Sequence, residues 1–152
     1  MRKGLFFLMT LGILFAACRK ENVDQAMVDK EIILQYLTDN NLNATEHSSG
    51  MFYLITNEGT GSESPNINSN VEVKYPGYSP DGTTFDQTQG DSTATFALAG
   101  VIEGWQIAIP LLKKNGKGTF LFPSELGYGS SSRPGIPRNS VLIFDVELVD
   151  FN

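Results

Sequence analysis

The chain has 152 residues, enough for one domain with a sizeable core plus an extension. Its 11 Lys and Arg stand against 17 Asp and Glu, a net charge of −6. An acidic chain without a basic stripe lacks the electrostatic footprint of a nucleic-acid binder, and a sole cysteine, Cys18, rules out an intrachain disulfide.

The leader comes first. "MRKGLFFLMTLGILFAAC" has a basic start at Arg2 and Lys3, an apolar run from Leu5 to Phe15, and small residues before Cys18. That is the pattern of a secretory signal peptide, and the run is short for a membrane-spanning helix. Cys18 sits where a signal peptidase would cut. The segment resembles a bacterial lipobox, with Phe15 where Leu is usual. The resemblance implies that residues 1–17 are removed and that Cys18 carries lipid. Each buried methylene contributes about 0.8 kcal/mol, and stable anchoring takes more than one chain. Arg19, Lys20 and Glu21 follow, without the Asp of the best-known inner-membrane retention signal. The expectation is an extracytoplasmic, lipid-anchored protein on the periplasmic side of the outer membrane. Losing Arg2 and Lys3 makes the remainder more acidic by two charges.

Residues 18–49 read as a tether and one helix. "DQAMVDKEIILQYLTDNNL" puts Met27, Ile32 or Ile33, Tyr36 and Leu37 on one side, with Asp24 as N-cap and Asn40-Asn41 as the stop. This helix either packs on the domain or acts as a stalk.

Residues 50–152 form the main domain. "MFYLIT" is a compact strand, and "NEGTGSESPNINSN" a loop. "VEVKYPGY" alternates, with Val71, Val73 and Tyr75 on one face. "SPDGT" is a turn, "TFD" is extended, and "TATFAL" is another strand. Val101–Leu112 is the one strong helix of this half, and Pro110 either kinks it or ends it early. "KGTFLFP" is a strand, and "SELGYGSSSRPGIPRNS" a long irregular loop. In the last strand, "VLIFDVELVDF", Leu142, Phe144, Val146 and Leu148 share one face; Ile143, Asp145, Glu147 and Val149 take the other. The expected class is α+β: about five antiparallel strands whose apolar face is buried on one short helix.

The residues for nucleophilic or metal chemistry are missing. His47 is alone in a polar linker, no His/Cys cluster suits zinc, and "NEGTGS" lacks the lysine and following helix of a phosphate loop. No cofactor and no metal are expected. What remains is aromatic: Tyr75, Phe85, Phe96, Trp105, Phe120, Phe122, Tyr128 and Phe144 are spread over every element, and Asp86 follows Phe85 directly.

The motifs "VEVKYPGYSPDGTTFD", "TFALAGVIEGW" and "FPSELGYGSSSRPGIPRNSVLIFDVEL", in that order, resemble the FKBP-type peptidyl-prolyl isomerases over about Val71 to Phe151. "SSGMFYLI" after a helix is similar to bacterial lipoprotein members. The resemblance implies an FKBP-like twisted half-barrel with an N-terminal helical extension. It also implies a proline pocket floored by Trp105 and walled by Tyr75, Phe85, Phe96, Val101, Ile102 and Phe144. Tyr128 would donate a hydrogen bond to the peptide, Asp86 would face the twisted amide, and the Ile102 N–H would bond a substrate carbonyl. Ile136 would overhang the pocket.

The implied partners are proline-containing polypeptides, with macrolide ligands possible, for a monomer tethered to the membrane and without nucleic acid. The segment between Phe85 and Trp105 is shorter than in small single-domain members, Ala94 replaces an aromatic, and the loop after Tyr128 is shortened, carrying Ser130–Ser132 and Arg133. Three readings stay open at this point: an isomerase, a binding module using the same pocket without turnover, and a structural lipoprotein. Asp86 could equally serve to order its loop, and Tyr128 could be a surface tyrosine.

Overall fold

The computed structural model describes residues 24–152; the leader, Cys18 and the residues just after it lie outside the described part. Asp24 opens helix α1 (Gln25–Asp39) by accepting from the Ala26 N–H. Asn41, at φ 53°, lies just past the end of the helix, in a conformation Asn tolerates. Strand β1 (Thr45–Glu46) turns at His47 and Gly50 into β2 (Phe52–Asn57), with His47 Nδ1 against the Ser49 hydroxyl.

The expected strand "VEVKYPGY" is split in two. β3 (Asn70–Lys74) stops before Tyr75, and β4 (Pro76–Tyr78) follows. Pro76 has no N–H for the ladder, and the Tyr75 N–H donates to Thr88 Oγ1 instead, at 3.1 Å. β5 (Thr84–Gln87), β6 (Ala94–Ala97), β7 (Gly116–Phe122) and β8 (Leu142–Phe151) complete one eight-stranded antiparallel sheet. Its order is β1-β2-β7-β8-β3-β6, and β4 pairs with both β5 and β8. The sheet has more strands than the anticipated five because one strand splits, "TFD" pairs with its second half, and β1 adds an edge.

The central helix is shorter than expected. Val101 is extended, Ile102 is the N-cap, α2 spans Glu103–Ala108, and a 3-10 turn covers Ile109–Leu111. Pro110 supplies the reason: it cannot donate to a helical carbonyl and its ring clashes with the preceding turn.

The two faces of the sheet bury different partners. On the concave face Val71, Val73, Phe120, Phe122, Phe144, Val146 and Leu148 enclose Trp105, Ala108 and Ile109 of the helical segment. On the convex face the register aligns Phe52, Leu121, Ile143 and Tyr78 in one row across four strands. Ile33 and Leu37 of α1 cover that row. So α1 packs on the domain, and Ile143 is buried although it faces away from α2. Met27, expected on the buried side, is 63% exposed; Asp29 points inward instead. Asp29 Oδ2 accepts from the Ser124 N–H and hydroxyl at 2.8 and 2.6 Å, and its Oδ1 accepts from Gln25 at 2.7 Å. A buried carboxylate is tolerated when its oxygens are filled in this way.

Ile33 is fully buried between α1 and the sheet. Ile33→Ala is expected to cost about 2–4 kcal/mol, the range for removing a buried aliphatic side chain, read from urea unfolding. A loss below about 0.5 kcal/mol, the scale of an exposed site, would mean that α1 does not pack there in solution.

Candidate active site

The site follows from register. Phe144 on β8 pairs with Phe120 on one side and Gly77 on the other, and Gly77 pairs with Asp86. Residues directly opposite one another share a face, so Asp86 lies on the concave side with Phe144. Gly77 is the small member of this row. A Cβ there would come within 2.5 Å of Phe144 Cε1 and 2.8 Å of Phe85 Cε2. Its lack of a side chain lets the two rings meet edge to face at 5.5 Å.

Trp105 sits on the first turn of α2, 4% exposed. Three rings meet its indole nearly at right angles: Tyr75 at 5.0 Å, Phe144 at 5.4 Å and Phe96 at 5.7 Å. Edge-to-face pairs of this kind contribute about 0.5–1.5 kcal/mol each beyond the area they bury. The indole N–H has no partner among the described residues. The approach to α2 is fixed locally: Gln106 Nε2 donates to the Val101 carbonyl at 2.9 Å. No described group accepts from the Ile102 N–H, which leaves it free to donate.

The loop after β7 closes one side. Ser124–Leu126 form a 3-10 turn, Tyr128 follows, and Gly129 takes φ 55°. Arg133 and Ile136 bond each other's backbone in both directions, at 2.8 and 2.9 Å. Ile136 is buried at the base of this turn.

These pieces enclose a cleft of about 450 Å³. Tyr75, Phe85, Asp86, Phe96, Val101, Ile102, Trp105, Tyr128, Ile136 and Phe144 all line it. Gly100, Arg133 and Pro134 complete the lining. In the sequence Arg133 stands out only as part of a shortened loop. The signal for Gly77 is a glycine inside an alternating strand pattern, which marks a close approach. Another hollow, of about 480 Å³, lies between Lys74, Gln87, Lys117 and Glu147. Lys117 and Glu147 on its wall are paired with each other at 3.0 Å.

The polar groups of the cleft are few. The Tyr75 hydroxyl donates to Asp86 Oδ2 at 2.7 Å. Burial, then the hydrogen bond and charge of Asp86, push the Tyr75 phenol far above its ordinary value. The Tyr128 hydroxyl makes no hydrogen bond with any described residue, while its ring lies 5.2 Å from the Arg133 guanidinium. Among the described residues no group of three His, Cys, Asp or Glu could hold a metal ion.

A sequence model of the FKBP-type peptidyl-prolyl cis-trans isomerases matches residues 61–149. The chain belongs to that family. It is 37% identical over 137 residues to the FKBP-type peptidyl-prolyl cis-trans isomerase FkpA of Escherichia coli, covering 89% of this chain and 49% of that protein. It is 42% identical over 104 residues to the FkpA of Buchnera aphidicola subsp. Schizaphis graminum, covering 68% and 41%. The chain thus spans about half the length of the curated relatives it matches. The crystal structure of FkpA from Escherichia coli superposes with a TM-score of 0.74 at 36% identity, covering 85% of this chain and 60% of that one. A peptidyl-prolyl cis-trans isomerase structure from Pseudomonas syringae pv. tomato gives 0.70 at 27% identity, covering 84% and 96%. The open antiparallel sheet around one short helix is therefore the FKBP-like fold, here with α1 added.

The Tyr75–Asp86 contact has a pH signature. A phenol whose value is raised on folding stays protonated in the native state while the unfolded chain ionises. Its stabilisation is complete below the ordinary value of 10.0 and is lost as pH rises past it. Urea stability is therefore expected to fall progressively as pH rises past about 10, the ordinary tyrosine value. The fall should be shallower in Tyr75→Phe; equal slopes would mean that Tyr75 is not held neutral by the fold.

Proposed function

We propose that this chain is a peptidyl-prolyl cis-trans isomerase acting on X-Pro bonds of exported proteins. The observation that carries the reading is the meeting of ten aromatic, apolar and hydrogen-bonding side chains around one cleft above Trp105.

The chemistry asks for no nucleophile. Rotation about X-Pro meets a barrier of about 18–20 kcal/mol from amide resonance, which makes it slow, on the order of tens to hundreds of seconds. In the twisted transition state that resonance is broken and the bond is less dipolar. An apolar cleft favours this state over the planar, well-hydrated amide. Lowering the barrier by about 7 kcal/mol accelerates rotation roughly 10⁵-fold.

The proline ring rests on the Trp105 indole, against Tyr75, Phe85, Phe96, Val101 and Phe144. The free N–H of Ile102 and the free hydroxyl of Tyr128 donate to carbonyls of the bound peptide, which fixes the flanking chain while the amide turns. Asp86 faces the amide with Oδ1, since Oδ2 is taken by Tyr75. Ile136 closes the overhang. A macrolide would compete for the same surface.

The leader and Cys18 support a lipid-anchored subclass: a monomeric domain, α1 packed on it, held to the periplasmic side of the outer membrane through the residues ahead of α1, with residues 1–17 removed. Among the described residues no helix is long and apolar enough to cross a membrane. Residues 50–152 are the isomerase domain in this reading.

The Tyr75–Asp86 hydrogen bond favours a second reading, in which Asp86 orders the wall and the cleft binds proline peptides without turnover. Two variants separate the readings. Removing one neutral hydrogen bond costs about 0.5–1.5 kcal/mol, so Tyr128→Phe is expected to lower kcat/KM roughly two- to tenfold with the fold intact. Asp86→Asn should lower it further if Oδ1 faces the amide. Wild-type turnover in both variants would remove Asp86 and Tyr128 from the catalytic machinery.

A further inference from the structure

We infer that Arg133 gives the cleft a preference for an acidic side chain next to the proline. The inference rests on the cleft being a proline site.

Among the described residues, only two charged side chains line the cleft, Asp86 and Arg133. Asp86 already accepts from Tyr75 at 2.7 Å. Arg133 has no carboxylate within ion-pair distance among the described residues. Its guanidinium therefore brings unpaired donors to the mouth of the cleft, in a planar fork that matches a carboxylate in two places at once.

The loop that carries the group is fixed. Arg133 and Ile136 bond each other's backbone in both directions, and Ile136 is buried at the cleft wall. The guanidinium lies over the Tyr128 ring, 5.2 Å from its centre, an attractive arrangement for a cation. A pre-positioned fork loses less freedom on pairing than a free side chain does. The chain is otherwise acidic, with a net charge of −6, so an acidic peptide meets repulsion over much of the surface and attraction at this mouth. Arg138, on the same loop, does not line the cleft and provides a control.

The side chain is exposed, so the effect is modest and sensitive to salt. The probes are N-acetylated, C-amidated tetrapeptides with Glu, Leu or Lys placed either before or after proline. The full-length chain in mild detergent is used, with kcat/KM from NMR exchange and Kd from titration. At low salt the Glu peptide is expected to exceed the Lys peptide roughly three- to fivefold at one of the two positions, in kcat/KM and in 1/Kd, the scale of an exposed ion pair. The ratio should approach one in Arg133→Gln, invert in Arg133→Glu and persist in Arg138→Gln. A ratio of one at both positions in the wild type, or a ratio that survives Arg133→Gln, overturns the inference. Failure to accelerate the Leu peptide overturns the isomerase reading, while the ratio in Kd still decides the role of Arg133. If no peptide binds, both fall.

Discussion

One packing constraint organises this protein: a half-barrel must be filled by a helix of six residues. Glu103–Ala108 has too few side chains to occupy the concave face, and Trp105 supplies the missing volume. Its indole stands among Tyr75, Phe96 and Phe144, each meeting it nearly at a right angle. The helix starts only at Glu103, so Val101 is extended and Ile102 caps the helix at the rim. The same short helix that plugs the sheet thus leaves a cleft above the indole and an unpaired N–H beside it. Core and site are one structure here, which is why few polar groups serve both.

A second constraint acts through small and absent side chains. Gly77 lets Phe144 and Phe85 meet where any Cβ would part them. Gly104 does the same within α2: a Cβ there would lie 2.7 Å from the Phe122 ring. The helix therefore sits close to the floor of the sheet. Backbone closeness sets the depth of the cleft, and the aromatic residues then set its chemistry.

Much of this is legible in the chain itself. Alternation in "VEVKY" and "LIFDVEL" gives the buried faces directly, because the strand period is two. Asp24 reads as a cap because its side chain has an N–H to accept from. The aromatic residues of the cleft could be gathered only through a family resemblance, since they come from separate elements brought together by long-range pairing. Local pattern misses what depends on a second layer. Ile143 looked like the polar face of β8 and is buried because α1 covers it. Met27 shares the helical phase of apolar residues yet faces outward, since Asp29 takes the inward position to bond Ser124. Val101–Leu112 carries a helical pattern throughout, and Pro110 together with the extended Val101 trims it at both ends.

The central claim is that the cleft above Trp105 turns X-Pro bonds. The most direct test follows cis-to-trans exchange of short X-Pro peptides by NMR, using the chain from Arg19 onward without lipid, with and without a macrolide. The account requires acceleration that the macrolide abolishes. A demonstrably folded chain that leaves the exchange rate unchanged would contradict it, even if the macrolide still bound.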